Sequence, residues 1–320
     1  MENTTSEEAA LAGPLLIVGN QRSGHGDAGE FERLTAGVLT EAGREHRFLM
    51  VAPEELAATA KAAVAEAKRL GGVVVAAGGD GTINTVAHAV LGSGVPFGVL
   101  PQGTFNYFGR EHGIPEGVEE AARALLGARL KSIQVGRVNG RVFLVNGSLG
   151  LYPELLEDRE THKSRFGRWR IVALCSALYS LLRSHRQLNL EFESEGAKSH
   201  LRTLTLFACN NRLQLTRIGI EQGHSNVLDR GELVATVLRP INFVQMLGVI
   251  LSGALGQLGA AKNVHSFAFR RLTVTPRGQR RIKVGTDGEV ALMATPLVFE
   301  VASEKLELLV PPAPASEADP

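Results

Sequence analysis

The chain has 320 residues, 44% of them hydrophobic, with a formal net charge of +1. That length suits two domains with sizeable cores rather than one, and the near-neutral balance without a strong basic block speaks against a nucleic-acid-binding role. Two cysteines, Cys175 and Cys209, stand far apart with no metal-ligand spacing, which fits a reduced cytoplasmic setting and excludes a disulfide framework.

In chain order, residues 1–12 and 311–320 read as disordered tails, and the acidic start lacks the basic region of a signal peptide. Leu15-Leu16-Ile17-Val18 is a short apolar strand running into Gly19-Asn20-Gln21-Arg22-Ser23-Gly24. A helix over Phe31 to Ala42, a strand over Arg47 to Val51 and an alanine-rich helix over Glu54 to Leu70 follow, the last stopped by Gly71-Gly72. The run Gly72 to Ala77 reads as a buried parallel strand that ends in Gly78-Gly79-Asp80-Gly81-Thr82, and helical spacing begins at once with Ile83, Val86, Ala87 and Val90. Val95 to Leu100 repeats the pattern, running into Pro101-Gln102-Gly103-Thr104-Phe105-Asn106, and a further helix covers Val118 to Leu126. Alternation of this kind predicts an α/β domain over residues 13–131, with a parallel sheet covered on both faces.

From Ser132 the texture changes. Ser132 to Val138 and Arg141 to Val145 read as a hairpin through Asn139-Gly140. Strands are predicted over Leu188–Phe192, Leu201–Ala208, Glu232–Val237, Arg271–Thr275, Arg281–Val284 and Leu297–Val301. Many strands with few helices predict a larger C-terminal antiparallel β-sandwich over residues 132–310. Ile171 to Leu182 is too short to cross a bilayer, and Phe243 to Ala261 carries Gln245 and Gln257 and reads as a soluble helix or helix pair. Lys163, Arg165, Arg168, Trp169 and Arg170 precede the first of these runs. They suit either a membrane interface or a helix buried by one face.

Three strand-to-loop transitions of one kind place three polar loops along one edge of a parallel sheet, where open α/β sheets bind ligands. Glycines allow close backbone approach, and a helix N-terminus favours an anion. Asp80 at such a spot repels a phosphate unless a cation lies between them. The plain reading of any single loop is an ordinary βα turn; for Asp80 it is a helix cap, and for Asp287-Gly288-Glu289 it is a tight turn. No Gly-x-x-x-x-Gly-Lys-Ser/Thr is present, so this is no P-loop. His25, His88 and His112 lack metal-like spacing and read as structural or exposed.

The blocks Asn20–Gly24, Gly78–Thr82 and Leu100–Asn106 together resemble the three nucleotide-site motifs of the diacylglycerol kinase catalytic family, whose fold is related to NAD kinase and phosphofructokinase. Asn146 to Pro153, Leu228 to Leu233 and Thr286-Asp287-Gly288-Glu289 are similar to later blocks of that family, so the likeness runs from about Leu15 to Val310. The resemblance implies an ATP-dependent lipid kinase with Mg²⁺ carried on the nucleotide, an acceptor such as diacylglycerol met at a membrane surface, and the active site between the domains. It also implies that the chain's end returns toward the first domain. Asp80, Asp287 and Glu289 are the candidate catalytic carboxylates, with Asp80 also the candidate metal contact and either Asp80 or Glu289 the general base. Candidate nucleotide contacts are Asn20, Ser23, Gly24, Gly78, Gly79, Gly81, Thr82, Gly103, Thr104 and Asn106. Two positions depart from the family: Tyr107 and Gln134 stand where many bacterial members carry acids. Those acids join a network around an accessory Mg²⁺, which this chain is expected to lack. Alternatives left open are a sphingoid-base or other glycerolipid kinase, an NAD-kinase-like enzyme and a nucleotide-binding regulatory protein without turnover. A homodimer and peripheral membrane attachment also stay open.

Overall fold

The structure, a computed structural model, describes residues 13–21, 28–150, 188–194, 197–217, 219–220, 226–239 and 263–312. The chain divides into two compact units, residues 1–135 with 303–320, and residues 136–302.

The first unit is the expected α/β layer. Its elements are β1 (Leu15–Asn20), α1 (Ala28–Glu41), β2 (His46–Val51), α2 (Leu56–Leu70), β3 (Val73–Gly78), α3 (Asp80–Val90), β4 (Phe97–Pro101), α4 (Tyr107–Glu111), α5 (Val118–Leu126) and β5 (Arg129–Ile133). The sheet runs β2-β1-β3-β4 in parallel and continues through the strand Leu306–Val310 to β5. Every residue of β3 is buried, as a central strand covered by helices on both faces requires. Leu15, Ile17, Val73 and Val75 meet Phe31 and Leu39 of α1 and Ala121 and Ala122 of α5 in one core cluster. Helix α2 buries Leu56, Ala60, Ala63 and Ala67 at spacings of three and four, a stripe of mostly small side chains that admits close approach. It ends on Gly71 in the left-handed region, whose N–H returns to the Ala67 carbonyl.

The predicted strand 132–138 is two strands in two units. β5 pairs antiparallel with Leu306–Val310, from Leu306↔Ile133 to Val310↔Arg129. The two compact units divide at 135/136 and 302/303. Strand alternation shows which face a residue takes, not which sheet its strand joins, so the break at Gln134–Val135 carries no local signal.

The second unit holds β6 (Gly136–Val138), β7 (Arg141–Phe143), β8 (Asn146–Gly150), β9 (Leu188–Ser194), β10 (Ala197–Thr203), β11 (Thr205–Cys209), β12 (Leu233–Leu238), β13 (Val264–Phe269), β14 (Arg271–Pro276), β15 (Arg281–Thr286), β16 (Glu289–Ala294) and β17 (Leu297–Val301). They form two antiparallel sheets, β10-β9-β14-β17-β6-β7 and β13-β12-β11-β8-β15-β16. Leu190, Leu272 and Phe299 of the first face Leu149, Leu206 and Val284 of the second in one buried core, the expected sandwich. The Asn139-Gly140 turn has both residues at positive φ (47° and 81°), which suits the twist of a two-residue hairpin. Asn139 also ties in the segment before β17, with Oδ1 accepting the Val298 N–H at 2.7 Å and Nδ2 donating to the Ala294 carbonyl at 2.9 Å. The predicted strand 201–208 breaks at Leu204, and β10 and β11 join different sheets. β13 and β16 were not expected. The runs 171–182 and 243–261, the cationic stretch 163–170 and Cys175 lie outside the described residues. Among the described residues no helix is long and apolar enough to cross a membrane.

Candidate functional site

The register of the first sheet brings the ends of β1, β3 and β4, from which the motif loops leave, to one edge. Gly19 pairs with Ala77, so Asn20 at the tip of β1 is level with Gly78 on β3, which itself pairs with Pro101 on β4. Asn20 is half-buried there. Ser23 and Gly24 lie outside the described residues.

Helix α3 begins at Asp80 directly beyond β3, with Gly79 as its N-cap residue in extended backbone. The Ile83 N–H already reaches the Gly79 carbonyl. The N–H groups of Asp80, Gly81 and Thr82 precede it in the first turn of the helix. They form the positive end of an eleven-residue helix, the backbone arrangement that holds a phosphate. The glycines are sterically required. A Cβ on Gly78 would lie 2.6 Å from Thr82 Cβ, and one on Gly103 would lie 2.7 Å from Gly79 Cα and 2.8 Å from Asn106 Oδ1. Loops 78–82 and 102–106 thus touch, glycine on glycine. Gly103→Ala forces them apart, and we expect about tenfold weaker nucleotide binding with little change in fold, read by titration with a fluorescent ATP analogue.

Asn106 has a structural job. It sits in the left-handed region at φ 47° and is buried. Its Oδ1 accepts the Gly103 N–H at 2.8 Å, and its Nδ2 donates to the Gly103 carbonyl at 2.9 Å and to Glu116 Oε1 at 3.2 Å. Both amide protons are thereby engaged within the loop. Thr104 is exposed beside it, and Thr82 is buried. Gln102 supplies what the motif reading passed over: its Nε2 is buried without a hydrogen-bond partner, an amide donor held beside the loops.

Asp80 reaches across to the third loop. Its Oδ2 accepts the Tyr107 N–H at 3.4 Å and its Oδ1 the Phe108 N–H at 3.3 Å, so the carboxylate caps α4 rather than its own helix. Burial raises its pKa above the usual carboxylate value, while the N–H groups of Phe108, Tyr107 and Asn106 pull it down. Tyr107, which replaces an acid of the family pattern, stacks on Phe105 with centroids 5.7 Å apart and planes 12° apart.

Next to Phe108, in edge-on contact at 4.9 Å, lies His112. Burial, helped by the Lys131 charge, lowers its pKa from 6.5 to about 4. The unfolded chain therefore takes up a proton near pH 6.5 that the folded chain refuses until near pH 4. Stability from this group is full above pH 6.5 and is lost as pH falls through that window, by roughly 2–3 kcal/mol. A urea midpoint that falls between pH 7 and 5, and falls less in His112→Leu, checks this.

In the second unit Asp287 is buried, with φ 48°. Its carboxylate accepts three backbone N–H groups, from Leu144 at 2.6 Å, Val145 at 2.9 Å and Asn146 at 2.7 Å, and its own N–H donates to the Asn146 carbonyl at 3.0 Å. Asp287 thereby clamps the link between β7 and β8. Glu289 is exposed and forms a 2.6 Å ion pair with Arg141 Nη2. Neither the clamp nor Arg141 was foreseen, because these partners lie more than 140 residues away in sequence. Among the described residues no group of three or more His, Cys, Asp or Glu could hold a metal ion. Asp80 is the carboxylate at the start of α3, beside the loop glycines.

Residues 14–138 match the diacylglycerol kinase catalytic domain. Over 92 residues the chain is 39% identical to the "probable lipid kinase YegS-like" protein of Citrobacter koseri and to the YegS protein of Salmonella newport. Each match covers 27% of this chain and 31% of the relative, so it spans about a third of those proteins. A solved structure of a diacylglycerol kinase from Bacillus anthracis strain Sterne superposes with TM-score 0.66 at 17% identity, covering 93% of this chain and 97% of that one. A second structure from the same strain gives 0.70 at 19%, covering 94% and 98%. At such identity the likeness is one of fold, and it extends over both units.

Proposed function

We propose that this chain, whose residues 14–138 match the diacylglycerol kinase catalytic domain, is a lipid kinase that transfers the γ-phosphoryl group of ATP to a hydroxyl of a membrane-derived lipid, diacylglycerol being the first candidate. One observation carries the reading: at the edge where β1, β3 and β4 end, two loops in glycine-to-glycine contact present the first-turn N–H groups of α3 beside a half-buried carboxylate. Such an arrangement suits phosphoryl transfer, where positioning and charge stabilisation do most of the work.

In this reading the backbone of Gly79 to Thr82 binds the phosphates, and the Gln102 amide adds a donor. A Mg²⁺ on the nucleotide, contacted by Asp80 directly or through water, would neutralise charge on the phosphates. The acceptor oxygen forms a bond to the γ-phosphorus as the bond to the bridging oxygen of ADP breaks. Its proton passes to a carboxylate, and Asp80 is the better candidate. Burial already favours its protonated form, whereas Glu289 is exposed and paired with Arg141. Asp287 supports the unit that would hold the acceptor. The lipid phosphate and ADP leave.

The test incubates the purified chain with Mg²⁺ and radiolabelled ATP over diacylglycerol, sphingosine, other lipid extracts and NAD. A labelled lipid is expected, and its identity names the acceptor. Labelled NAD would replace the reading with an NAD-kinase-like one. ATP binding without any labelled product would replace it with a regulatory binder.

A further inference from the structure

A second site lies in the β-sandwich unit. At the open edge of its first sheet, β9, β10 and the turn after β14 border an open cavity of about 230 Å³ lined by Asn189, Leu190, His200, Leu201, Arg202 and Arg277. That volume is below the roughly 300–1,000 Å³ of pockets for drug-sized ligands, so the occupant is small. Arg202 pairs across the strands with Asn189, and His200 with Glu191, which sets all four on one face of the sheet. Arg277 joins them, its N–H fixed to the Asn189 carbonyl at 2.9 Å.

The charges do not balance. Glu191 is the acid beside the cavity; it accepts from Arg277 Nε at 2.8 Å and lies 3.7 Å from His200 Nδ1. Arg277 Nη2 is 3.5 Å from the same imidazole nitrogen. Arg202 has no ion pair among the described residues. Arg277 is thus paired with Glu191 while Arg202 has no such ion pair, and Arg202 with the outer nitrogens of Arg277 offers donors in the planar fork that suits phosphate oxygens.

We propose that this cavity binds a phosphate monoester, with Arg202 and Arg277 on its oxygens, the Asn189 amide as a further donor, and Glu191 holding Arg277 in place. The site is separate from the motif loops and does not rest on the kinase reading. Free sugar- or glycerol-type phosphates and the headgroup of a lipid phosphate share this chemistry.

The experiment titrates the full chain calorimetrically with inorganic phosphate and glycerol 1-phosphate, and separately measures its sedimentation with phosphatidylcholine vesicles made with and without phosphatidic acid. The wild type is expected to bind, and Arg202→Gln to bind about tenfold more weakly, the loss of one charge-assisted contact. Arg202→Lys should fall between them. Binding of the soluble phosphates assigns the site to free ligands. Binding only to vesicles with phosphatidic acid, weakened in Arg202→Gln, assigns it to lipid headgroups. No binding to any probe, or equal binding by the wild type, Arg202→Gln and Arg277→Gln, overturns the proposal. Both arginines are exposed, and unchanged circular dichroism of the variants confirms that folding is not the cause.

Discussion

Asp80→Asn is expected to lower lipid phosphorylation by about 10²–10⁴-fold, the usual range for losing a general base, while thermal stability holds or rises. The two halves of this expectation come from the same carboxylate. Burial raises the folded pKa of Asp80 above its ordinary value. Its charged form is therefore less favourable in the folded protein, and this destabilising contribution at neutral pH fades as pH falls through the folded pKa. Asparagine removes the charge at every pH. It keeps one carbonyl oxygen to accept from Phe108 or Tyr107, whose N–H groups reach the carboxylate at 3.3 and 3.4 Å. Lost turnover with an unchanged or higher Tm supports the chemical role. Unchanged turnover makes Asp80 a cap for α4 and nothing more. A lower Tm with weaker nucleotide binding makes it the tie between two loops. Glu289→Gln, measured alongside, should cost less, because Glu289 is half in solvent and exposed pairs such as that with Arg141 contribute only about 0–1 kcal/mol.

The site was legible in the sequence where physical necessity falls on residue type. Gly78 and Gly103 stand where side chains would collide, and that demand shows in the letters themselves. The strands that raise the loops to one edge were legible for a related reason: β3 is buried throughout and β1 up to its last residue, so their apolar runs are uninterrupted. What could not be read is where backbone partners sit. Asp80 bonds to amides 27 and 28 residues away, and Asp287 to amides more than 140 away. An amide is present at every residue except proline, so no letter marks it. The breaks at Gln134–Val135 and at Leu204 were missed for a different reason. Strand-forming residues continue on both sides, and each strand's destination depends on sheets assembled from distant segments. Asn106 has a role that its motif does not announce: its αL backbone and its bonds to Gly103 and Glu116 make it the residue that shapes the loop.

Asp287 sets the largest stability effect expected in this chain. Asp287→Ala removes the acceptor of three backbone N–H groups, those of Leu144, Val145 and Asn146, and leaves a side chain poorly suited to φ 48°. Each buried donor left unpaired costs about 1–3 kcal/mol. Water entry and relaxation of the link limit the sum, so a loss of roughly 3–5 kcal/mol is expected, enough to unfold a marginal β domain. Asp287→Asn separates structure from chemistry. Asparagine tolerates the left-handed backbone, and its single carbonyl oxygen can keep the Val145 and Asn146 bonds that Oδ1 makes now. The amide nitrogen then faces the Leu144 N–H, donor against donor, which should cost about 1–3 kcal/mol. Urea unfolding of the two variants reads these losses, and assays well below each midpoint read activity. If Asp287 only clamps the β7–β8 link, Asp287→Asn turns over near the wild-type rate once it is cold enough to be folded. If its carboxylate also meets the transferred phosphate, turnover falls at least tenfold in a protein that is still folded, and the clamp is then one of two roles held by a single buried charge.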